Sequence, residues 1–199
     1  MKWSVISKKL LYSGFFKLTA YELRHDLFEG GESPVLSREL LDRGHAVAVL
    51  PYDPVRDEVV LIEQFRIGAG NDTSGPWMIE IIAGLQEPDE SAEEVIHREA
   101  QEEAGCEISD LIPIHSYYSS PASSNEQIHI YFARTETAGL GGVHGIDDEG
   151  EDILVHVVQS GTAFEWLDQG RIDSAVPIVA LQWFRLNRDR IREQWLEES

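Results

Sequence analysis

Cysteine is almost missing from this chain of 199 residues: Cys106 stands alone, so no disulfide can form within it. A reducing compartment, the cytoplasm, is the expected home. Basic residues are scarce as well. Lys and Arg total 16 against 36 Asp and Glu, a formal net charge of -20. Such a chain offers no basic surface for nonspecific binding of nucleic acid or of an anionic membrane, and neither partner is expected. No run approaches the ~18 consecutive apolar residues of a transmembrane helix. The first ten residues, Met1 to Leu10, lack the apolar core of a signal peptide. No internal repeat or low-complexity tract is evident. The remaining resource is a 42% hydrophobic content, enough for one full core with room for a small second module.

Alternation of apolar and polar residues predicts short strands from Trp3 to about Glu39, with Phe16, Leu18 and Ala20 on one side and Lys17, Thr19 and Tyr21 on the other. Residues 1–40 read as a small β module whose thin core needs a partner surface, either the main domain or a second copy of the chain. Residues 41–199 read as the main domain. There, two β-rich runs, 45–50 and 58–63, flank a turn region, 51–57, and a strand over 77–82 leads into Gly84. Strands at 112–118 and 127–134 follow, then a glycine-rich acidic loop from Thr137 to Asp152 and a strand at 153–158. Two helices end the chain, at about 162–169 and 174–197, the second with Val179, Trp183, Leu186 and Ile191 as inward candidates. Strands and helices mixed this way predict an α/β sandwich around a mixed sheet.

The most informative stretch is 84–106. Read at ~100° per residue, Ala92, Val95, Ile96, Ala100 and Ala104 share one face, and Glu99 and Glu103 fall near the middle of that face. Ser91 followed by Glu94 is a capping-box pattern that starts a helix at about residue 92, and Gly105 is placed to end it. Glu93 and Glu94 point away and read as solvated charge. Carboxylates one turn apart on an apolar face are costly unless cations or strong hydrogen bonds neutralise them. Glu102, three residues after Glu99, adds to the repulsion. Mg²⁺ or Mn²⁺ resolves the conflict, because these ions take oxygen ligands, commonly one or two carboxylates together with phosphates and water. A polyphosphate substrate would otherwise be repelled by so acidic a protein.

The spacing of Gly84, Glu90, Arg98, Glu99, Glu102, Glu103 and Gly105 resembles the signature of the Nudix hydrolases, with Ala100 and Cys106 where the family usually carries a larger aliphatic residue. The resemblance implies an α/β/α sandwich and cleavage of nucleoside diphosphates linked to another group, with divalent metal. Pro121, 15 positions after Cys106, resembles the subgroup that acts on ADP-ribose, as do Arg43-Gly44-His45, residues 53–66 and residues 178–183. Ala122-Ser123-Ser124 departs from the glycine that this subgroup carries after the proline. For this subgroup the implied reaction is Mg²⁺-dependent hydrolysis of ADP-ribose to AMP and ribose 5-phosphate.

The resemblance also implies roles for individual residues. Glu99, Glu103 and the backbone carbonyl of Ala83 match metal ligands, Glu102 a partial ligand, and Glu90 with Arg98 a structural ion pair. Within the acidic loop, Glu149 resembles the catalytic base and Glu151 a further metal ligand, two assignments that can be exchanged. Arg38 and Arg66 are candidates for substrate contact, since guanidinium forks bind phosphate oxygens, although each also suits a surface salt bridge. Phe15 resembles a residue that stacks on adenine and equally suits core packing. Glu126 resembles a substrate contact delivered from the opposite subunit of a homodimer whose N-terminal modules are exchanged. Two other readings stand beside this one: a hydrolase of another nucleotide sugar such as GDP-mannose, and a sensor that binds ADP-ribose without cleaving it. Retention of all three helix acids weighs against the sensor.

Overall fold

The computed structural model of the chain describes residues 1–146, 148 and 150–198. It divides into two compact units, Met1–His45 with Tyr117–Ile128, and Ala46–Ser116 with the chain from His129 onward.

In the first unit, β1 (Trp3–Ser13), β2 (Lys17–His25) and β3 (Leu36–Asp42) form an antiparallel sheet in the order β1-β2-β3. Register shifts at Val5/Ser7 and Leu10/Tyr12 interrupt β1, and Trp3, Ile6, Leu10 and Tyr12 along it are exposed. The segment after Tyr117 is tied to β3: Leu41 N–H donates to the Ser123 carbonyl (2.8 Å), and Asn125 Nδ2 donates to Asp42 Oδ1 (2.8 Å).

The second unit is built on an eight-stranded sheet with the path β10-β11-β5-β4-β9-β8. Its strands are β4 (Ala46–Asp53), β5 (Glu58–Phe65), β6 (Trp77–Glu80), β7 (Ile82–Leu85), β8 (Ile108–Tyr118), β9 (Gln127–Thr135), β10 (Gly142–His144) and β11 (Ile153–Gln159). β4 and β5 pair only beside their turn, Tyr52 with Val59 and Asp53 with Glu58, and then diverge. β6 pairs with the free length of β5, and β7 with that of β4. The strand expected over 77–82 is thus two strands, because the chain crosses from one diverging neighbour to the other at Ile81. This crossing lays Ala83 and Gly84 against α1 (Ala92–Ala104).

Alternation along the central strands feeds two cores. Val47, Val49, Val60, Ile62, Ile153 and Val155 pack with Val95, Ile96, Ala100 and Ala104 of α1. On the other face, Tyr52 and Phe132 stack with Phe184 and Trp195 of α3 (Ala175–Glu197), and α2 (Ser160–Asp168) packs beside them on β5 and β11. The result is the α/β/α sandwich around a mixed sheet that the sequence implied. One helix face differs from expectation. The buried stripe of α3 is Pro177, Ala180, Leu181, Phe184, Ile191 and Trp195, and Leu186 is 86% exposed. Arg188 occupies the middle of that stripe, where its guanidinium pairs with Asp57, so the apolar period is broken there. Among the described residues, no helix is long and apolar enough to cross a membrane.

Candidate active site

Helix α1 begins where its sequence directs. Ser91 accepts from Glu94 N–H while the Glu94 carboxylate accepts from Ser91 N–H (2.8 Å), a complete capping box. Gly105 ends the helix at φ 58, in the left-handed region that suits glycine. Between these caps Glu103 is only 3% exposed. Its Oε2 accepts from Ala83 N–H of β7 (3.0 Å). Burial pushes its carboxyl up to about 8, with the charges of Glu99 and Glu151 adding to the rise and the Ala83 N–H and Arg66 opposing it. Glu99, one turn earlier, is also raised, first by burial, and is held down by Arg98.

Arg98 is the counter-charge for three acids. Its Nε and Nη2 reach the two carboxylate oxygens of Glu90 (3.0 and 3.3 Å), and its Nη1 reaches Glu99 (2.7 Å) and Glu102 (3.1 Å). The Glu90 pair ties the loop before α1 to the helix, as expected. The bonds to Glu99 and Glu102 were not anticipated, although the spacing of Glu102 at i+4 from Arg98 is a visible sign of one of them.

Gly84 has a steric role. A β-carbon there would overlap the Glu99 carboxylate, which lies on the bare backbone of β7. Gly84→Ala is therefore expected to leave a folded protein in which Glu99 is displaced, with the Mg²⁺ concentration for half-maximal activity raised about tenfold or more. A circular dichroism melt beside a Mg²⁺ titration of the rate checks this, and a wild-type titration curve would remove the steric argument.

Glu151 joins this cluster from the acidic loop. Its Oε2 accepts from Ile146 N–H (3.2 Å), and its charge is felt by both Glu99 and Glu103. Glu149 lies outside the described residues. Arg66 pairs with Glu80 (2.8 Å), the surface salt bridge that its sequence allowed, and its charge also lowers Glu103. In the first unit, Phe15 is 84% exposed at the β1–β2 turn with its ring edge-on to Phe16, which rules out core packing there. Arg38 donates to the carbonyl of its neighbour Ser37 (2.7 Å). Glu126 is buried, accepting from Ser119 Oγ (2.6 Å) and pairing with Arg43 (3.1 Å).

The donor set suits a hard divalent ion. A buried carboxylate, Glu103, and a partly buried one, Glu99, both of raised proton affinity, stand one turn apart with too few positive partners, and a cation is what stabilises such a pair. Among the described residues no group of three or more His, Cys, Asp or Glu side chains is already gathered around an ion-sized gap.

The chain is 44% identical over 191 residues to an ADP-ribose pyrophosphatase of Escherichia coli (strain K12), covering 96% of this chain and 91% of that protein. With an ADP-ribose pyrophosphatase of Haemophilus influenzae it shares 41% identity over 194 residues, 96% and 89% of the two chains. A GDP-mannose pyrophosphatase of Shigella flexneri serotype 5b is 32% identical over 189 residues, 92% and 95% of the two chains. A crystal structure of an ADP compounds hydrolase superposes with a TM-score of 0.72 over 96% of this chain and 97% of the other, and at 21% identity that likeness concerns the fold. A profile described as NUDIX domain matches residues 42–187, which takes in the strands, α1 and the acidic loop of the second unit, and the chain belongs to that family.

Proposed function

We propose that this chain hydrolyses the diphosphate of ADP-ribose to AMP and ribose 5-phosphate with Mg²⁺, or Mn²⁺ in its place, in the cytoplasm. The observation that carries this reading is the pair of carboxylates of raised proton affinity on α1, buried Glu103 and partly buried Glu99, in a chain 41–44% identical to ADP-ribose pyrophosphatases over nearly its whole length. The carboxylates of Glu99, Glu103 and Glu151 and the carbonyl of Ala83 are the proposed ligands, with Glu102 as a partial one. When bound, a divalent ion supplies charge neutralisation to the diphosphate oxygens and polarises the phosphorus. Glu149 takes the proton of the attacking water. The water oxygen bonds to phosphorus, the bridging P–O bond breaks, and the leaving phosphate departs with the electron pair. Arg66 turns from Glu80 to a phosphate oxygen, and burial of the metal site in the second unit keeps bulk water away from Glu103. Arg38, Phe15 and Glu126 complete substrate binding.

The test is a panel of nucleotide sugars with separation of products. ADP-ribose is expected to be cleaved fastest, and a larger kcat/KM for GDP-mannose would replace the substrate assignment. ADP-ribose bound without turnover at saturating Mg²⁺ would make the chain a sensor.

The working unit we propose is a homodimer with exchanged N-terminal modules. Two observations support it: the exposed apolar residues of β1, and the confinement of all four lysines, Lys2, Lys8, Lys9 and Lys17, to the first 17 residues of an otherwise acidic chain. Light scattering is expected to give about twice the 22.4 kDa chain mass. Mixing an Arg38→Ala chain with a Glu103→Gln chain is expected to return about a quarter of wild-type activity, because random exchange leaves one intact site in half of the dimers. A fully active monomer would overturn the shared site and leave the metal chemistry standing.

A further inference from the structure

The acidic loop leaves the sheet at the end of β10, and its first residues rest on the C-terminal end of α1. Gly145 N–H donates to the backbone carbonyl of Glu102 (3.2 Å), one of the last helix carbonyls, which have no partner within the helix. Just before it, the His144 ring lies on Gly105. A β-carbon at Gly105 would stand 2.9 Å from His144 Cε1 and 3.4 Å from Nδ1. The ring is fixed by Nε2, which donates to the Gly141 carbonyl (3.0 Å). Beyond Gly145 the neck of the loop closes on Glu151. Ile146 N–H donates to Glu151 Oε2 (3.2 Å), Glu151 N–H donates to the Ile146 carbonyl (3.3 Å), and a β-carbon at Gly145 would be 2.7 Å from Glu151 Cβ. Gly145 itself has φ 104, a backbone open to glycine and strained for other residues. An unbroken series of contacts thus runs from Gly105, at the end of the helix that carries Glu99 and Glu103, through His144, Gly145 and Ile146 to Glu151.

We propose that His144 is a positioning residue: seated on Gly105, it sets the register of the acidic loop against α1 so that Glu151 reaches the same divalent ion as Glu99 and Glu103. The inference rests on the metal-site reading above. A hard ion that demands near-octahedral oxygen geometry tolerates a misplacement of only about 0.5 Å in a ligand. Glu151 lies in the glycine-rich loop just before β11 begins at Ile153, outside the regular pairing of that strand. A flat ring, locked at one end by a hydrogen bond and received at the other by a residue without a side chain, supplies the missing reference. Gly105 on this account does more than end the helix, since it is also the floor on which the ring sits.

The experiment uses the full chain, with Mg²⁺ titrated in two readouts: the rate of ADP-ribose hydrolysis and the rise in melting temperature without substrate. For His144→Ala the half-point in Mg²⁺ is expected to rise about tenfold in both, with the rate at saturating Mg²⁺ within about threefold of wild type. His144→Phe keeps a ring on Gly105 and is expected to fall nearer to wild type. Half-points within twofold of wild type for His144→Ala in both readouts would overturn the proposal. So would a fall in the metal-free melting temperature with both half-points unmoved, which is the behaviour of a merely structural histidine. Absence of ADP-ribose turnover in the wild type would instead strike the functional reading, and the thermal titration would still decide the role of His144.

Discussion

Glu103→Gln is expected to yield a folded protein whose turnover of ADP-ribose is lower by at least about 10²-fold, and whose metal-free form melts higher than wild type at pH 8. The expected loss of rate comes from deleting the proposed negative ligand of a divalent ion at the diphosphate, a contribution of several kcal/mol to the barrier. The gain in stability follows from linkage. Burial raises the Glu103 carboxyl from its ordinary 4.5 to about 8, so the folded state binds a proton that the unfolded state has released. Its contribution is fully present below about pH 4.5 and is lost as pH climbs to about 8, so the metal-free wild type weakens across that window. Glutamine carries no such charge, and the variant should show a flatter profile there. Mg²⁺ should raise the melting temperature of the wild type more than that of the variant. Differential scanning calorimetry at several pH values, with and without Mg²⁺, reads all of this together. Activity within a few-fold of wild type would remove Glu103 from the site.

Glu149→Gln is expected to lower kcat by about 10²-fold or more, the usual loss when a general base is removed, with little change in the Mg²⁺ half-point. Glu151→Gln is expected to do the opposite: to raise the Mg²⁺ requirement while keeping much of kcat at saturation. Initial rates over a grid of Mg²⁺ and substrate separate the two effects. The reverse pattern would exchange the assignments of the two acids, and equal effects of both on the Mg²⁺ half-point would leave the base to be sought elsewhere.

Local chemistry makes α1 legible in the sequence. Ser91, Glu94 and Gly105 carry their capping information within a few residues, and the helix runs from Ala92 to Ala104 between them. The conflict between Glu103 and its apolar face was equally visible, since it needs only the 3.6-residue period. Features set by distant pairing were not. The division of 77–85 into β6 and β7 depends on where β4 and β5 part, which the alternation of Trp77 to Ile82 does not reveal. In α3, Arg188 interrupts the apolar stripe because it pairs with Asp57, far away in sequence, and the buried face runs through Phe184 and Trp195 while Leu186 stands exposed. β8 begins at Ile108, earlier than its alternation suggests, because Asp110 sits at φ 51 inside the strand and breaks the two-residue period. The seat of His144 on Gly105 was hidden for the same reason, being a contact across 39 residues of sequence between a helix cap and a loop.

The central claim is that the acids of α1 hold a divalent ion that serves hydrolysis of the ADP-ribose diphosphate. The most direct measurement follows ADP-ribose by phosphorus NMR with the purified chain, first with chelator and then after Mg²⁺ is restored. The account predicts no change under chelator, then loss of the diphosphate resonances and equal appearance of AMP and ribose 5-phosphate once Mg²⁺ returns. Cleavage that proceeds at full rate under chelator, or an intact diphosphate in saturating Mg²⁺, would contradict it.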